Sequence, residues 1–300
     1  MPHMEALFNT VFPVALVVLS GYLLGKRVPV DLPTLSRLTV YLLVPALIFD
    51  AMYRASFTRE GLLGLTLGFL LTYLGLYLFV ALLGRLLRLS QEAGKSLVIS
   101  ALFPNSGNMG LSLAYFALGE AGLGLAVVYF ILSSALMFGL GPAFIRGGGI
   151  LEGLHFTLRL PLFYALLLGL LLRTLEVTFP FRLDEGVRLM GQAAIPVLLL
   201  TLGMQMAKTP FRLGAFELTA STLRLLLAPL FAYLVGLLLG LSRLEHQVLV
   251  LQSATPIAVN AFLLSQEFGK DAARMARSVV VSTFLAFLTV PLVLLLIGLR

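Results

Sequence analysis

Long apolar runs constrain this chain more than any other feature. Runs of about 20 residues with few charges recur along its length, and a helix of that length crosses a bilayer while pairing its own backbone groups. Because 59% of the residues are hydrophobic and only 12% are charged, the composition is typical of a polytopic membrane protein. We therefore predict an all-α fold with ten transmembrane helices, at 6–24, 35–53, 61–84, 93–118, 121–145, 155–173, 186–207, 218–241, 244–267 and 273–298.

The basic residues predict an orientation for these spans. Of the 21 Lys and Arg residues, seven fall on the side of the two termini and fourteen on the opposite side, where we also place Arg224 of the eighth span. Cytoplasmic helix ends carry an excess of Lys and Arg, so both termini are predicted to be extracytoplasmic in a multi-pass protein of the inner membrane. The net charge of +7 is explained by these helix ends, and no nucleic-acid partner is expected.

Two proline-asparagine segments interrupt the apolar pattern. The chain has four asparagines, and three of them lie in Pro104-Asn105-Ser106-Gly107-Asn108 and Pro256-Ile257-Ala258-Val259-Asn260. Proline lacks a backbone N–H and clashes with the preceding turn, so the fourth and ninth spans are predicted to be broken helices. In lipid, a break is tolerated only around a cavity or within packed protein.

The two segments belong to an internal repeat. An ungapped offset of 152 residues brings Pro104 onto Pro256, Asn108 onto Asn260 and Leu97-Val98 onto Leu249-Val250. Each half holds five spans, and an odd number inverts the second half in the membrane. We expect a first five-helix repeat at 1–146, a Gly-rich connection at 147–154 and a second, inverted repeat at 155–300.

Inverted repeats with one broken helix each are typical of secondary transporters, whose substrate site lies where the broken helices cross. The half-helix that restarts after each proline offers free N–H groups and a positive dipole end. Two such ends, with the amides of Asn108 and Asn260, predict an anion site that needs no buried Lys or Arg. Proline also frees the carbonyls of Ser100 and Gln252, which are accessory candidates.

Four stretches carry a resemblance to a known family. Ala101 through Leu111 resembles the fourth-helix signature of the auxin efflux carrier family, which includes plant PIN-type carriers and bacterial organic-acid permeases. Ala254 through Phe262 with Ser282-Thr283, and Thr201 through Gln205, resemble that family's later spans. The resemblance implies a fold like that of bile-acid sodium symporters and sodium/proton antiporters. Spans 1, 2, 6 and 7 would form a scaffold, spans 3–5 and 8–10 a moving transport domain, and two scaffolds a homodimer.

The resemblance also implies a substrate class, namely small organic carboxylate anions such as auxin-like acids, malate or malonate. The candidate substrate-binding residues are Pro104, Asn105, Ser106, Gly107, Asn108, Thr255, Pro256 and Asn260. Accessory or coupling candidates are Ser100, Gln252, Gln205 and Asp50. The first break is polar and the second apolar, so we expect a carboxylate near Asn105 and Asn108 and an apolar part near the second break.

Other functions fit the sequence less well. A sodium-coupled symporter of the bile-acid type and a channel or sensor on the same fold remain alternatives. No acidic residue lies at the middle of a predicted span, which disfavours a sodium/proton antiporter. No catalytic motif is present, and we expect neither an enzyme nor a bound metal or cofactor, while a proton, a sodium ion or the membrane potential alone remains open as the driving force.

Overall fold

The computed structural model describes residues 2–140, 158–267 and 272–298, so the predicted connection at 147–154 lies outside the described residues. The described part is helical apart from turns, bends and a single isolated bridge. It contains seven helices long and apolar enough to cross a membrane: Phe8–Arg27, Leu32–Tyr53, Arg59–Leu86, Ser106–Gly139, Pro180–Lys208, Ala215–Leu238 and Ala272–Leu296. The prediction of an all-α, multi-pass membrane protein is confirmed at this level.

The described residues form thirteen α-helices. In chain order they are α1 (Pro2–Arg27), α2 (Leu32–Leu38), α3 (Val44–Tyr53), α4 (Arg59–Leu86), α5 (Gln91–Leu102), α6 (Leu111–Ala135), α7 (Pro161–Thr174), α8 (Leu183–Lys208), α9 (Ala215–Thr222), α10 (Ala228–Leu238), α11 (Arg243–Ser253), α12 (Val259–Glu267) and α13 (Ala272–Leu296). One turn of π-helix joins α2 to α3, and another joins α9 to α10.

Local sequence explains where several helices begin and bend. The hydroxyl oxygens of Thr58 and Ser90 accept hydrogen bonds from the amides of Gly61 and Ala93, which caps α4 and α5. Within α6, Gly119 adopts φ 66° and ψ −160°, a conformation open to glycine because it lacks a Cβ. This kink separates the predicted fourth and fifth spans without a loop.

Helices α1 and α8 approach each other closely through glycines. A Cβ built on Gly21 would overlap the carbonyl oxygen of Leu200, and one built on Gly203 would overlap that of Val18. Small residues at a membrane helix contact let two backbones meet and gain dispersion contacts. Val14 and Val18 on α1 and Leu202 on α8 belong to one buried apolar cluster.

Candidate functional site

The first proline-asparagine segment breaks a helix. Helix α5 ends at Leu102, the backbone at Phe103 is extended with φ −105° and ψ 96°, and the chain turns again at Ser106–Gly110 as one π-helical turn. The side-chain oxygen of Asn105 accepts a hydrogen bond of 3.3 Å from the amide of Asn108. Asn105 is therefore the cap that restarts the helix after Pro104.

The second segment breaks a helix in the same manner. Helix α11 ends at Ser253 and α12 begins at Val259. The amide of Ile257 donates a hydrogen bond of 3.1 Å to the hydroxyl of Ser282 on α13. The hydroxyl of Thr255 donates one of 2.7 Å to the carbonyl oxygen of Gln252. Side chains thus satisfy backbone groups that lipid could not.

The two breaks meet and pair as antiparallel backbone. The amide of Asn105 donates to the carbonyl oxygen of Pro256 at 2.7 Å, and the amide of Ala258 donates to that of Phe103 at 2.9 Å. Pro104 and Ile257 form the bridge between them. We call this contact the crossing, made of residues 103–105 and 254–258.

The structure corrects the predicted position of Arg224. From the sequence we place Arg224 among the basic residues on the side opposite the termini, and we expect an anion site that needs no buried Lys or Arg. The structure instead buries Arg224 completely. Its guanidinium donates to the carbonyl oxygens of Ala101 at 2.5 Å, Thr255 at 3.2 Å and Ser253. These carbonyls flank both prolines, so one side chain holds the crossing together.

The sequence contains a signal that Arg224 has a special role. Arg224 lies in the π-helical turn Leu223–Leu227, well inside the helix Ala215–Leu238. An ionisable residue inside a membrane span is expensive, and π-helical turns frequently mark functional sites. The charge count remains strongly asymmetric without it, so the predicted orientation does not depend on this residue.

A chain of hydroxyl groups, which the sequence pattern does not reveal, lies beside the crossing. The hydroxyl oxygens of Tyr73 on α4 and Tyr129 on α6 lie 2.7 Å apart, and that of Tyr129 lies 3.0 Å from the hydroxyl oxygen of Ser253. The guanidinium of Arg224 lies 6.0 Å from the centre of the Tyr73 ring. Isolated tyrosines in apolar runs look like ordinary core residues in a sequence, so only their contacts show a polar chain.

A cavity of about 270 Å³ borders the crossing, and we call it the crossing cavity. Its walls come from α2 and α3, the first break, the end of α6, α7, α8 and the second break. The first break contributes the polar Asn105, Ser106 and Asn108 to this lining, and the second contributes Ala258, Val259 and Asn260. The candidate site residues that line it are Pro104, Asn105, Ser106, Gly107, Asn108, Gln205 and Asn260.

Two polar atoms in this wall have no partner within the described part of the chain. They are the side-chain nitrogen of Asn105 and the side-chain oxygen of Gln205, and both are buried. An unpaired buried polar atom costs free energy comparable to a lost hydrogen bond. Their position in a cavity wall makes them candidate ligand contacts. The side-chain amide of Gln205 carries one donor group and one acceptor oxygen whichever way the amide is rotated.

The remaining candidates lie behind the cavity wall. Pro256, Thr255, Gln252 and Ser100 are absent from the described lining of the crossing cavity. The side-chain nitrogen of Gln252 donates a hydrogen bond of 2.8 Å to the carbonyl oxygen of Gly110, which ties the second break to the turn after the first. The hydroxyl of Ser100 donates to the carbonyl oxygen of Ser96 at 2.9 Å. These residues support the crossing.

A second cavity, of about 550 Å³, lies between the start of α8, the end of α3 and the kink of α6. Asp50 lines it and forms an ion pair of 2.8 Å with Arg54, which also pairs with Asp184 at 2.7 Å. Nearby, Arg188 on α8 pairs with Glu120 on α6 at 3.0 Å. Asp50 is therefore separate from the crossing cavity and belongs to an ion-pair network at the face where α3 ends and α8 begins.

Known proteins resemble the chain over almost its full length. A model of the family described as "Membrane transport protein" matches residues 6–148 and 154–294. An uncharacterized transporter of Methanothermobacter thermautotrophicus is 28% identical, covering 95% of this chain and 96% of the relative. A Rhizobium meliloti protein described as "Putative malonate transporter" is 27% identical, covering 96% and 94%. Because the family model spans both halves, this chain belongs to the membrane transport protein family of the auxin efflux carriers.

Proposed function

We propose that this protein is a secondary transporter that moves small organic carboxylate anions across the cytoplasmic membrane by alternating access. One observation supports this most directly. The crossing cavity is bounded by both proline-asparagine breaks, and the unpartnered side-chain nitrogen of Asn105 lies in its wall. Amide donors and restarted helix ends are groups that bind carboxylate oxygens.

The size and polarity of the crossing cavity favour a small amphiphilic acid. Its volume of about 270 Å³ lies below the range of drug-sized ligand sites, which begins near ~300 Å³. A carboxylate fits the side of Asn105, Ser106 and Asn108, and an apolar portion fits against Ala258 and Val259. The name of the Rhizobium meliloti relative mentions malonate, a small dicarboxylate, which is therefore one of the anions to test.

The two cavities suggest how access alternates. The crossing cavity reaches toward the face where α2 begins and α8 ends, whereas the second cavity lies at the face where α3 ends and α8 begins. Between them the helices expected to form a scaffold, α1 to α3, α7 and α8, face those expected to move. We propose that motion of one group against the other opens each cavity in turn.

The finer topology belongs to the same proposal. We propose ten spans in two inverted repeats, termini outside the cytoplasm in the inner membrane, and a homodimer formed through the scaffold. The breaks support the repeat because both join half-helices at a shared backbone bridge. No cofactor is required by this mechanism, since substrate binding and domain motion suffice.

A proteoliposome flux screen tests the function. Purified protein is reconstituted in liposomes, and the uptake of labelled monocarboxylates and dicarboxylates, malonate included, is measured at controlled pH, sodium and membrane potential. We expect saturable uptake with trans-stimulation, and at least a tenfold loss, about 1.4 kcal/mol, in Asn108→Ala and Asn260→Ala. Asn9→Ala is the matched control, because Asn9 is the fourth asparagine and is exposed on α1.

Two outcomes contradict the proposal. If folded Asn108→Ala and Asn260→Ala transport at the parental rate, the site lies elsewhere. If single-channel conductance replaces trans-stimulation, the protein is a pore on the same fold.

A further inference from the structure

We infer that the side chain of Arg224 takes the place of a coupling cation at the crossing. Its guanidinium binds the backbone carbonyls that such a cation would otherwise bind, and its charge favours an anionic ligand. The inference rests on the proposed function for the anion. The contacts that carry it are the hydrogen bonds from Arg224 to the carbonyl oxygens of Ala101, Ser253 and Thr255.

The carbonyls that Arg224 binds are those that broken helices expose. Ala101 lies in the last turn of α5, Ser253 ends α11, and Thr255 lies inside the second break. In discontinuous membrane helices, unwound carbonyls and half-helix C-terminal ends are the groups that coordinate sodium ions. A guanidinium has a planar fork of five N–H donors, so it can satisfy several such oxygens at once.

The charge of Arg224 is not balanced by a carboxylate in the described part of the chain. The buried Glu217 pairs with Arg277 at 2.9 Å, and the acidic partners of Arg54 and Arg188 lie near the second cavity. Carbonyl dipoles solvate the guanidinium but leave its net charge. Arg224 therefore keeps a positive charge beside the crossing, in an interior that screens it weakly.

A fixed positive charge at this place has two consequences. Pro104 and Asn105 belong to the crossing and also line the cavity, so an anion bound there interacts favourably with Arg224 without touching it. The Coulomb interaction scales with ligand charge, so a loss of about tenfold in monoanion affinity corresponds to about a hundredfold for a dianion. Because the guanidinium binds these carbonyls and its charge repels a second cation, we expect no sodium ion at the crossing.

Thermal stability tests the cation directly and without any assumption about substrate. The melting temperatures of the full-length parental protein and Arg224→Ala are compared in sodium, choline and dilute guanidinium chloride at matched ionic strength. Removing the side chain leaves three carbonyls and room for a small cation. We expect Arg224→Ala to melt lower than the parental protein in choline and to be restored by guanidinium or sodium, while the parental protein is unaffected by sodium.

Matched variants separate the loss of the Arg224 charge from the effect of an empty space in the core. Arg224→Met fills the space without a charge, and Leu225→Ala opens an apolar cavity at the next residue, which is also buried. Both are expected to melt lower with no response to small cations. An equal response of Arg224→Ala and Arg224→Met, or a parental protein stabilised by sodium, overturns the inference. If Arg224→Ala does not fold, Arg224→Lys must melt above Arg224→Met, and the reverse order overturns it.

Flux measurements then test the anion part. In proteoliposomes the parental protein is expected to transport carboxylates equally well in sodium and choline. The fold-loss in affinity caused by Arg224→Met is expected to be the square, for a dicarboxylate, of the fold-loss for a monocarboxylate. Equal losses would show a structural role alone. If no carboxylate is transported by the parental protein, the proposed function fails while the melting experiment still decides whether Arg224 replaces a cation.

Discussion

The amide of Asn105 donates a hydrogen bond of 2.7 Å to the carbonyl oxygen of Pro256, and this bond joins the two broken helices. It satisfies one backbone donor and one acceptor at a depth where lipid offers no partner. Because the backbone of Asn105 is used in this way and its side-chain oxygen caps Asn108, only its side-chain nitrogen is left for a ligand. Structural and binding roles are thus divided among the atoms of one residue.

We predict that Pro104→Ala impairs transport more than Pro45→Ala. Alanine at position 104 restores a backbone N–H and favours continuation of α5 through the crossing, which would displace Asn105. Pro45 lies at the start of α3, directly after the π-helical turn Thr39–Leu43, a local adjustment that accommodates proline in a membrane helix, and alanine is equally compatible there. Initial flux rates of the two variants, normalised to folded protein, measure the difference. Equal rates would undermine the division into site and scaffold prolines.

We predict that Asn105→Asp abolishes anion transport while leaving the fold intact. Aspartate keeps the oxygen that caps the amide of Asn108, but it removes the amide nitrogen and adds a negative charge to the wall of the crossing cavity. Like charges repel strongly where screening is weak. We expect a flux loss above tenfold with a melting temperature near that of the parental protein. Unchanged carboxylate flux would place the substrate away from Asn105.

We predict that the ion pair between Arg188 and Glu120 holds the second cavity closed. It joins α8 to α6, and because the Glu120 side chain is mostly exposed it is worth only about 0–1 kcal/mol, enough to shift a conformational equilibrium severalfold. The chain has no cysteine, so a single Leu123→Cys reports access to the second cavity. Maleimide labelling should accelerate severalfold in Glu120→Gln.

The charge-swapped double variant Glu120→Arg with Arg188→Glu is the control for this pair. It restores the attraction across the same interface, so its labelling rate should return toward the parental rate. A rate that stays high in the swapped variant, or a rate unchanged in Glu120→Gln, would show that the pair does not govern access.

We predict that Gly203→Ala destabilises the protein by about 1–3 kcal/mol, the usual cost of overpacking. The added methyl group would overlap the carbonyl oxygen of Val18 and separate α1 from α8. Gly186→Ala is the matched control, because a Cβ there meets no other atom within 4 Å and the residue lies near the start of the same helix. Thermal unfolding in detergent compares the two. Similar melting temperatures would contradict the close contact.

The sequence predicted the location of the breaks better than the roles of the residues around them. Proline affects its own backbone, so the interruptions after Leu102 and Ser253 follow from local chemistry. The roles of Thr255 and Gln252 depend on which side of the crossing faces the cavity. That choice is made by packing between helices distant in sequence, and the structure turns both residues away from the cavity.

The apolar runs, the two prolines and the repeated motifs are enough to predict a helical membrane protein, its two interruptions and its family, because they act through local chemistry or direct similarity. The position of Arg224 at the crossing follows instead from the packing of the helices. Its burial depends on carbonyls of Ala101, Ser253 and Thr255, which come together when α5, α9 to α10 and α11 pack. A charge can be buried only where its partners converge, and the convergence of distant partners is a property of the packed fold.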